Sequence, residues 1–170
     1  PPPLILPPPL QQGNGPRPSG GLSNWEIAEI MRPYKEFAGV ICSDEVNNIK
    51  SNLVPYCFIM NLSKLKEKGT HWVAVYITPD SIEYFDPLGN PASIDFLKRI
   101  KSHVDSFPIL VKFKENAVKW QNDSQNCGWH CINFLIKRLA GQSFKFSSGW
   151  SEVSKREGQA KKLRQKFGYL

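Results

Sequence analysis

Long apolar runs are missing from this chain of 170 residues. None approaches the ~18 residues that a membrane-spanning helix needs, so no membrane role is expected. Cysteine is scarce: four residues, at 42, 57, 127 and 131, lack the close paired spacings of small secreted disulfide scaffolds. With no signal peptide ahead of them, they are expected to be reduced, in an intracellular protein. Histidine is scarcer still. His71, His103 and His130 are the whole set, which makes the search for a general base short. Acidic residues number 15 against 22 basic ones, and the net charge of +7 favours a polyanionic partner while saying nothing about fold. What is present, 41% hydrophobic and 12% aromatic residues, suffices for the core of one domain.

Composition divides the chain into three parts. Pro1 to Gly21 holds eight prolines and four glycines and cannot build a packed core, so residues 1–21 are expected to be an extended or disordered leader or linker. Residues 22–150 carry the folded domain. Residues 151–170, with six basic and two acidic side chains, are expected to form a basic helix on Val153, Ala160, Leu163 and Phe167.

Within the domain, Ser23-Asn24-Trp25-Glu26 is a capping box, followed by Ile27, Ile30 and Met31 and stopped by Pro33. Phe37 to Ile41 is apolar and small, and Ser43 or Asp44 could cap a brief helix carrying Val46 and Ile49. Tyr56 to Leu62 reads as a buried strand. His71 to Thr78 and Ser81 to Phe85 read as a hairpin around Pro79-Asp80, because proline presets the turn and aspartate bonds back to the chain. Ser93 is expected to cap a helix with Phe96, Leu97, Ile100 and Val104 on one face. Pro108 to Phe113 and Ala117 to Gln121 read as further strands. A last apolar helix runs from about Gly128 to Leu139 and ends near Gly141.

That helix begins beside Cys127, after the polar stretch Trp120 to Asn126. A helix start offers unpaired N–H groups and the positive end of the macrodipole, both of which favour a thiolate. The hairpin supplies a partner. With a two-residue loop, 78 faces 81, 73 faces 86 and 71 faces 88, which makes His71 and Asp86 diagonal neighbours on one sheet face. An acid orienting a histidine that deprotonates a thiol is the general arrangement of thiol catalysis. Gln121, a neutral donor six residues before Cys127, could form an oxyanion hole with the Cys127 N–H.

These residues resemble a known family. His71-Trp72, Tyr84 to Gly89, Gln121, and Ser124-Gln125-Asn126-Cys127-Gly128 look like the motifs of adenovirus-type cysteine proteases. That group belongs with the SUMO- and ubiquitin-like-protein proteases and with the proteases of small DNA viruses and virus-like DNA transposons. The order His, Asp, Gln, Cys is similar to theirs and unlike that of papain. The resemblance implies an α+β fold with a mixed sheet between helices, the nucleophile at the start of a central helix, and cleavage after glycine-containing sequences. It gives His71 as base, Asp86 as orienting acid, Gln121 as oxyanion donor and Cys127 as nucleophile, with Trp72 and Gly128 lining the substrate cleft. It also implies precursor-protein substrates, a monomeric enzyme, and action in the host nucleus or cytoplasm and within the virion.

Adenovirus enzymes commonly carry glutamate where Asp86 stands, and they tether a peptide cofactor to a cysteine between acid and nucleophile. No cysteine occurs between 58 and 126, so that tether is excluded here. No cofactor is required by the sequence; DNA, through the basic segment from Lys155, and a peptide activator are the candidates the resemblance leaves. Pro18-Ser19-Gly20-Gly21 precedes Leu22 and suggests autoprocessing between Gly21 and Leu22. Cys127, His130 and Cys131 lack a second ligand pair for zinc, so no metal is expected. Cys42, Cys57 and Cys131 are expected to be structural thiols, and Trp25, Trp120, Trp129 and Trp150 core or partly buried aromatics. The rival readings are a deconjugating protease for ubiquitin-like proteins and a non-catalytic relative that binds nucleic acid.

Overall fold

The computed structural model describes residues 21–104, 112–116 and 126–149. The Ser23 hydroxyl accepts from the Glu26 N–H at 3.2 Å, and the Glu26 carboxylate accepts from the Ser23 N–H at 3.3 Å. This is the expected capping box, and it starts helix α1, Asn24–Met31. Strand β1, Phe37–Cys42, and a 3₁₀ helix, Ser43–Asn48, follow. Then come β2 (Tyr56–Asn61), β3 (Trp72–Ile77) and β4 (Ser81–Phe85). Helix α2 is Ile94–Val104 and strand β5 is Lys112–Glu115. Helices α3, Cys127–Leu139, and α4, Phe144–Gly149, complete the described residues.

The strands form one mixed sheet in the order β1-β2-β3-β4-β5. β2, β3 and β4 are antiparallel neighbours, while β1 and β5 run parallel to β2 and β4 at the two edges. The expected α+β architecture of a mixed sheet between helices is therefore the one observed. Alternation along β3 divides the core. Trp72, Ala74 and Tyr76 pack with α1 and α3, including Ile27, Ile30, Ile132 and Phe134. Val73, Val75 and Ile77 pack on the other face with Phe96 and Ile100 of α2 and Val46 of the 3₁₀ helix.

α3 is the central helix. Every residue from Cys127 to Leu135 is buried, as expected of a helix with neighbours on all sides. Its far end is held by Arg138, which grips the buried Glu83 through Nε at 2.7 Å and Nη2 at 3.0 Å. The same guanidinium lies 4.7 Å from the Tyr76 ring centroid. Phe134 stacks on Phe85 with centroids 4.6 Å apart, joining the middle of the helix to β4.

Some expectations are corrected. The strand expected over 108–113 is β5 at Lys112–Glu115, whose four residues are all exposed, so apolar content was a poor guide to an edge strand. Residues 108–111, the strand expected over 117–121, the leader 1–20 and the basic helix 151–170 lie outside the described residues. Trp25 is not core: it is 55% exposed on the outward side of α1. Trp129 is buried, as expected. α4 carries no signal in the sequence reading, its one short turn of Phe144-Lys145-Phe146 lacking a helical apolar period. Among the described residues, no helix is long and apolar enough to cross a membrane.

Gly128 marks the place where α3 meets the sheet. A Cβ there would stand 3.3 Å from Leu22 Cβ and Cδ1 and from Trp72 Cδ1. Alanine would gain up to ~1 kcal/mol of helix propensity, against roughly 1–3 kcal/mol for overpacking. Gly128→Ala is expected to lose about 1 kcal/mol in urea unfolding; a gain in stability would show that Leu22 and Trp72 give way freely.

Candidate active site

The hairpin forms in the expected register. Ala74 pairs with Phe85 and Ile77 with Ile82, and the Thr78 N–H donates to the Ser81 carbonyl at 2.9 Å across Pro79-Asp80. Continued to the open end, this register makes residues 71 and 86 diagonal neighbours of equal parity. His71 Nε2 lies 2.6 Å from Asp86 Oδ1, with 8% of the histidine and 1% of the aspartate exposed. The His71 carbonyl accepts from the Leu62 N–H at 3.0 Å, which ties the residue to the end of β2.

Asp86 ends β4 and opens a turn. Its carbonyl accepts from the Gly89 N–H at 2.8 Å, and Gly89 has φ +74°. Asp at the first position, Pro87 at the second and Gly89 at the fourth are the residues a type I turn prefers. In the same turn the Leu88 N–H donates to Asp86 Oδ1 at 2.8 Å. The turn that stops the strand thus also aims the carboxylate at His71.

Cys127 is the first residue of α3 and is fully buried. Its thiol lies near enough to His71 to bear on the imidazole's proton. Since Nε2 faces Asp86, Nδ1 is the ring nitrogen left for the sulfur. Burial opposes charge on His71, yet the hydrogen bond to Asp86 and the nearness of Cys127, together with their negative charge, outweigh it and raise its pKa to about 9. The imidazole is therefore held as imidazolium at neutral pH.

Trp72 braces the pair. Its indole N–H donates to the Leu22 carbonyl at 2.9 Å, and its own carbonyl accepts from the Cys131 thiol at 3.3 Å. It is fully buried, so in this structure the ring fills the space between Leu22 and Gly128. Cys131, one turn beyond Cys127, is kept protonated by burial, its pKa raised well above the usual thiol value. Burial raises Cys42 to about 11 and pushes Cys57 up further. All four cysteines are free and buried. Gln121 lies outside the described residues. His103 is remote, its Nε2 2.9 Å from the Tyr56 hydroxyl at the far end of β2, and His130 is buried within α3. Among the described residues, no cluster of His, Cys, Asp or Glu could hold a metal.

One participant had no signal in the sequence. Asn116, just past β5, accepts from the Asp86 N–H at 2.8 Å and donates to the Asp86 carbonyl at 2.7 Å. A lone asparagine after an edge strand is ordinarily a turn residue.

The chain is similar in sequence to a viral protein named as a thiol protease and in fold to a viral protease. It is 24% identical to a protein of Acanthamoeba polyphaga mimivirus named "Putative thiol protease R355", over 72% of this chain and 49% of that protein. The chain thus spans about half the length of the curated relative it matches. Among solved structures it is similar to the ASFV pS273R protease, with a TM-score of 0.63 and 21% identity, covering 88% of this chain and 69% of that one. A more distant likeness, TM-score 0.43 and 18% identity over 68% of this chain and 54% of that one, is to the SUMO protease Ulp1. No family model matches. The expected resemblance and the expected fold are both borne out by these relatives.

His71 binds its proton more tightly folded than unfolded. Its contribution to stability is complete below pH ~6.5, the ordinary imidazole value, and is lost as pH rises through about 9. An NMR titration is expected to place the His71 imidazole near that higher value and, in Asp86→Asn, below it; a wild-type imidazole titrating at the ordinary value would contradict the arrangement.

Proposed function

We propose that this domain is the catalytic unit of a thiol endopeptidase that cleaves viral or virus-like precursor proteins at glycine-containing sites. The observation that carries the reading is the single imidazole hydrogen-bonded to a buried carboxylate and electrostatically coupled to a thiol at a helix start. Cys127 as thiolate attacks the scissile carbonyl, and the imidazolium of His71 gives its proton to the departing amine. The resulting thioester is hydrolysed by water that His71, now neutral, deprotonates; the proton returns to the imidazole and Cys127 leaves as thiolate. Asp86 stays ionised throughout and holds the ring. The developing oxyanion is assigned to the Cys127 N–H and the Gln121 amide.

Selective modification tests the chemistry. Iodoacetamide is expected to label Cys127 ahead of the three other thiols, with the label lost in Cys127→Ala. A peptide library is expected to show glycine preferred before the scissile bond. Labelling no faster than that of an ordinary thiol would favour a non-catalytic relative, and a flat library profile would remove the glycine assignment.

Processing at Gly21-Leu22 belongs to the same proposal. Leu22 is 4% exposed, and its side chain lies against the position of Gly128, next to the nucleophile. This contact between Leu22 and the residue that follows Cys127 is what supports the assignment. Intact mass spectrometry of active protein is expected to show a product beginning at Leu22, absent in Cys127→Ala; an unchanged mass in fully active protein would exclude processing there.

A further inference from the structure

We propose that Asn116 is a positioning residue of the site: its amide locks the main chain of Asp86 and so sets how firmly His71 holds its proton. The inference rests on the reading of His71, Asp86 and Cys127 as a catalytic triad.

The geometry is that of a substituted peptide. A primary amide carries a donor and an acceptor side by side, as a peptide strand does at a hydrogen-bonded pair. Two bonds of the Asn116 amide go to one residue, the N–H and the C=O of Asp86, at 2.8 and 2.7 Å. β5 pairs with β4 up to Tyr84 and Glu115. The asparagine side chain therefore continues the ladder past the end of the backbone pairing, at the residue where the carboxylate is mounted. Both residues are buried, 4% and 1% exposed, so water does not replace these bonds when they break.

Fixing the main chain fixes the carboxylate. Asp86 has two rotatable side-chain bonds, and Leu88 restrains one of its oxygens through a 2.8 Å bond from the N–H. With Cα also held, the 2.6 Å contact to His71 is kept without the carboxylate having to search for it.

The groups that bear on the His71 proton are few. Asp86 bonds to the imidazole directly, Cys127 acts on it from close by, and burial is the opposing influence. Cys131 and Tyr84 lie within electrostatic reach of Asp86, and burial keeps both protonated across this pH range. Loosening Asp86 therefore leaves burial less opposed, and the His71 pKa must fall.

Iodoacetate reads this without a known substrate. Its carboxylate is drawn to the imidazolium, so alkylation of Cys127 is fastest while the thiol is ionised and His71 is protonated. The rate against pH falls on its basic side as His71 loses its proton. Peptide mass mapping confines the reading to Cys127. In Asn116→Ala the basic limb is expected to move about one pH unit lower, and the maximal rate to fall roughly tenfold or more. Asn116→Ser, which keeps a hydroxyl able to make one of the two bonds, is expected to fall between. Phe113→Ala, which weakens β5 without touching Asp86, is expected to leave the limb in place.

Rates are taken per folded molecule, so a role confined to stability lowers yield and leaves the limb unmoved. Asn116 variants with a wild-type basic limb would overturn the proposal, and if Asn116→Ala does not fold, Asn116→Ser decides. A wild type with no basic limb at Cys127 would instead remove the triad reading on which it rests.

Discussion

A two-residue turn constrains the whole site. Pro79-Asp80 sets the pairing of β3 with β4, and that pairing decides the face on which every side chain of the hairpin lies. One residue more or less in the loop would send Asp86 to the opposite face from His71 and exchange the two halves of the core. The apolar residues on both faces resist such a slip: Trp72, Ala74 and Tyr76 fit against α3, while Val73, Val75 and Ile77 fit against α2. Packing along the sheet therefore secures a hydrogen bond at its end, and the 2.6 Å contact inherits the certainty of the register.

The second half of the site depends on where α3 is placed along its own axis. Arg138 bound to Glu83 holds one end, and close contact of Gly128 with Trp72 and Leu22 holds the other. Phe134 stacked on Phe85 fills the middle. A paired, buried charge is weak evidence for net stability, yet it specifies geometry: the fork of Arg138 fits Glu83 in one arrangement. With both ends held, the first residue of the helix arrives beside His71. The fold therefore uses apolar packing for cohesion and a few directional bonds for alignment.

Much of this was legible in the sequence because it rests on local rules. Ser23 and Glu26 announce a helix start, Ser93 another, and Pro79-Asp80 between β-rich runs fixes the register arithmetically. Asp86-Pro87-Leu88-Gly89 was readable as part of a motif, though its role as the turn that aims the carboxylate emerges only with the fold. Features that join distant segments were not legible. Asn116 reaches Asp86 across 30 positions and Arg138 reaches Glu83 across 55, and nothing in either neighbourhood signals a partner. The end of β5 lies two residues beyond the expected Phe113 because an exposed edge strand lacks the apolar pattern of a buried one. Residue type alone suggests a core or partly buried Trp25, whereas its 55% exposure reflects the absence of a neighbour over that side of α1 among the described residues.

The wide spacing of the three groups along the chain bears on when the protein becomes reactive. His71 and Asp86 are brought together by a hairpin, an event of microseconds, whereas Cys127 joins them only when α3 has docked on the finished sheet. Before that step the imidazole has no thiol beside it and the thiol has no base. On the proposed reading, an incompletely folded chain carries all the parts of the site without the juxtaposition their chemistry needs. Completion of the core is the event that brings the cysteine to the imidazole.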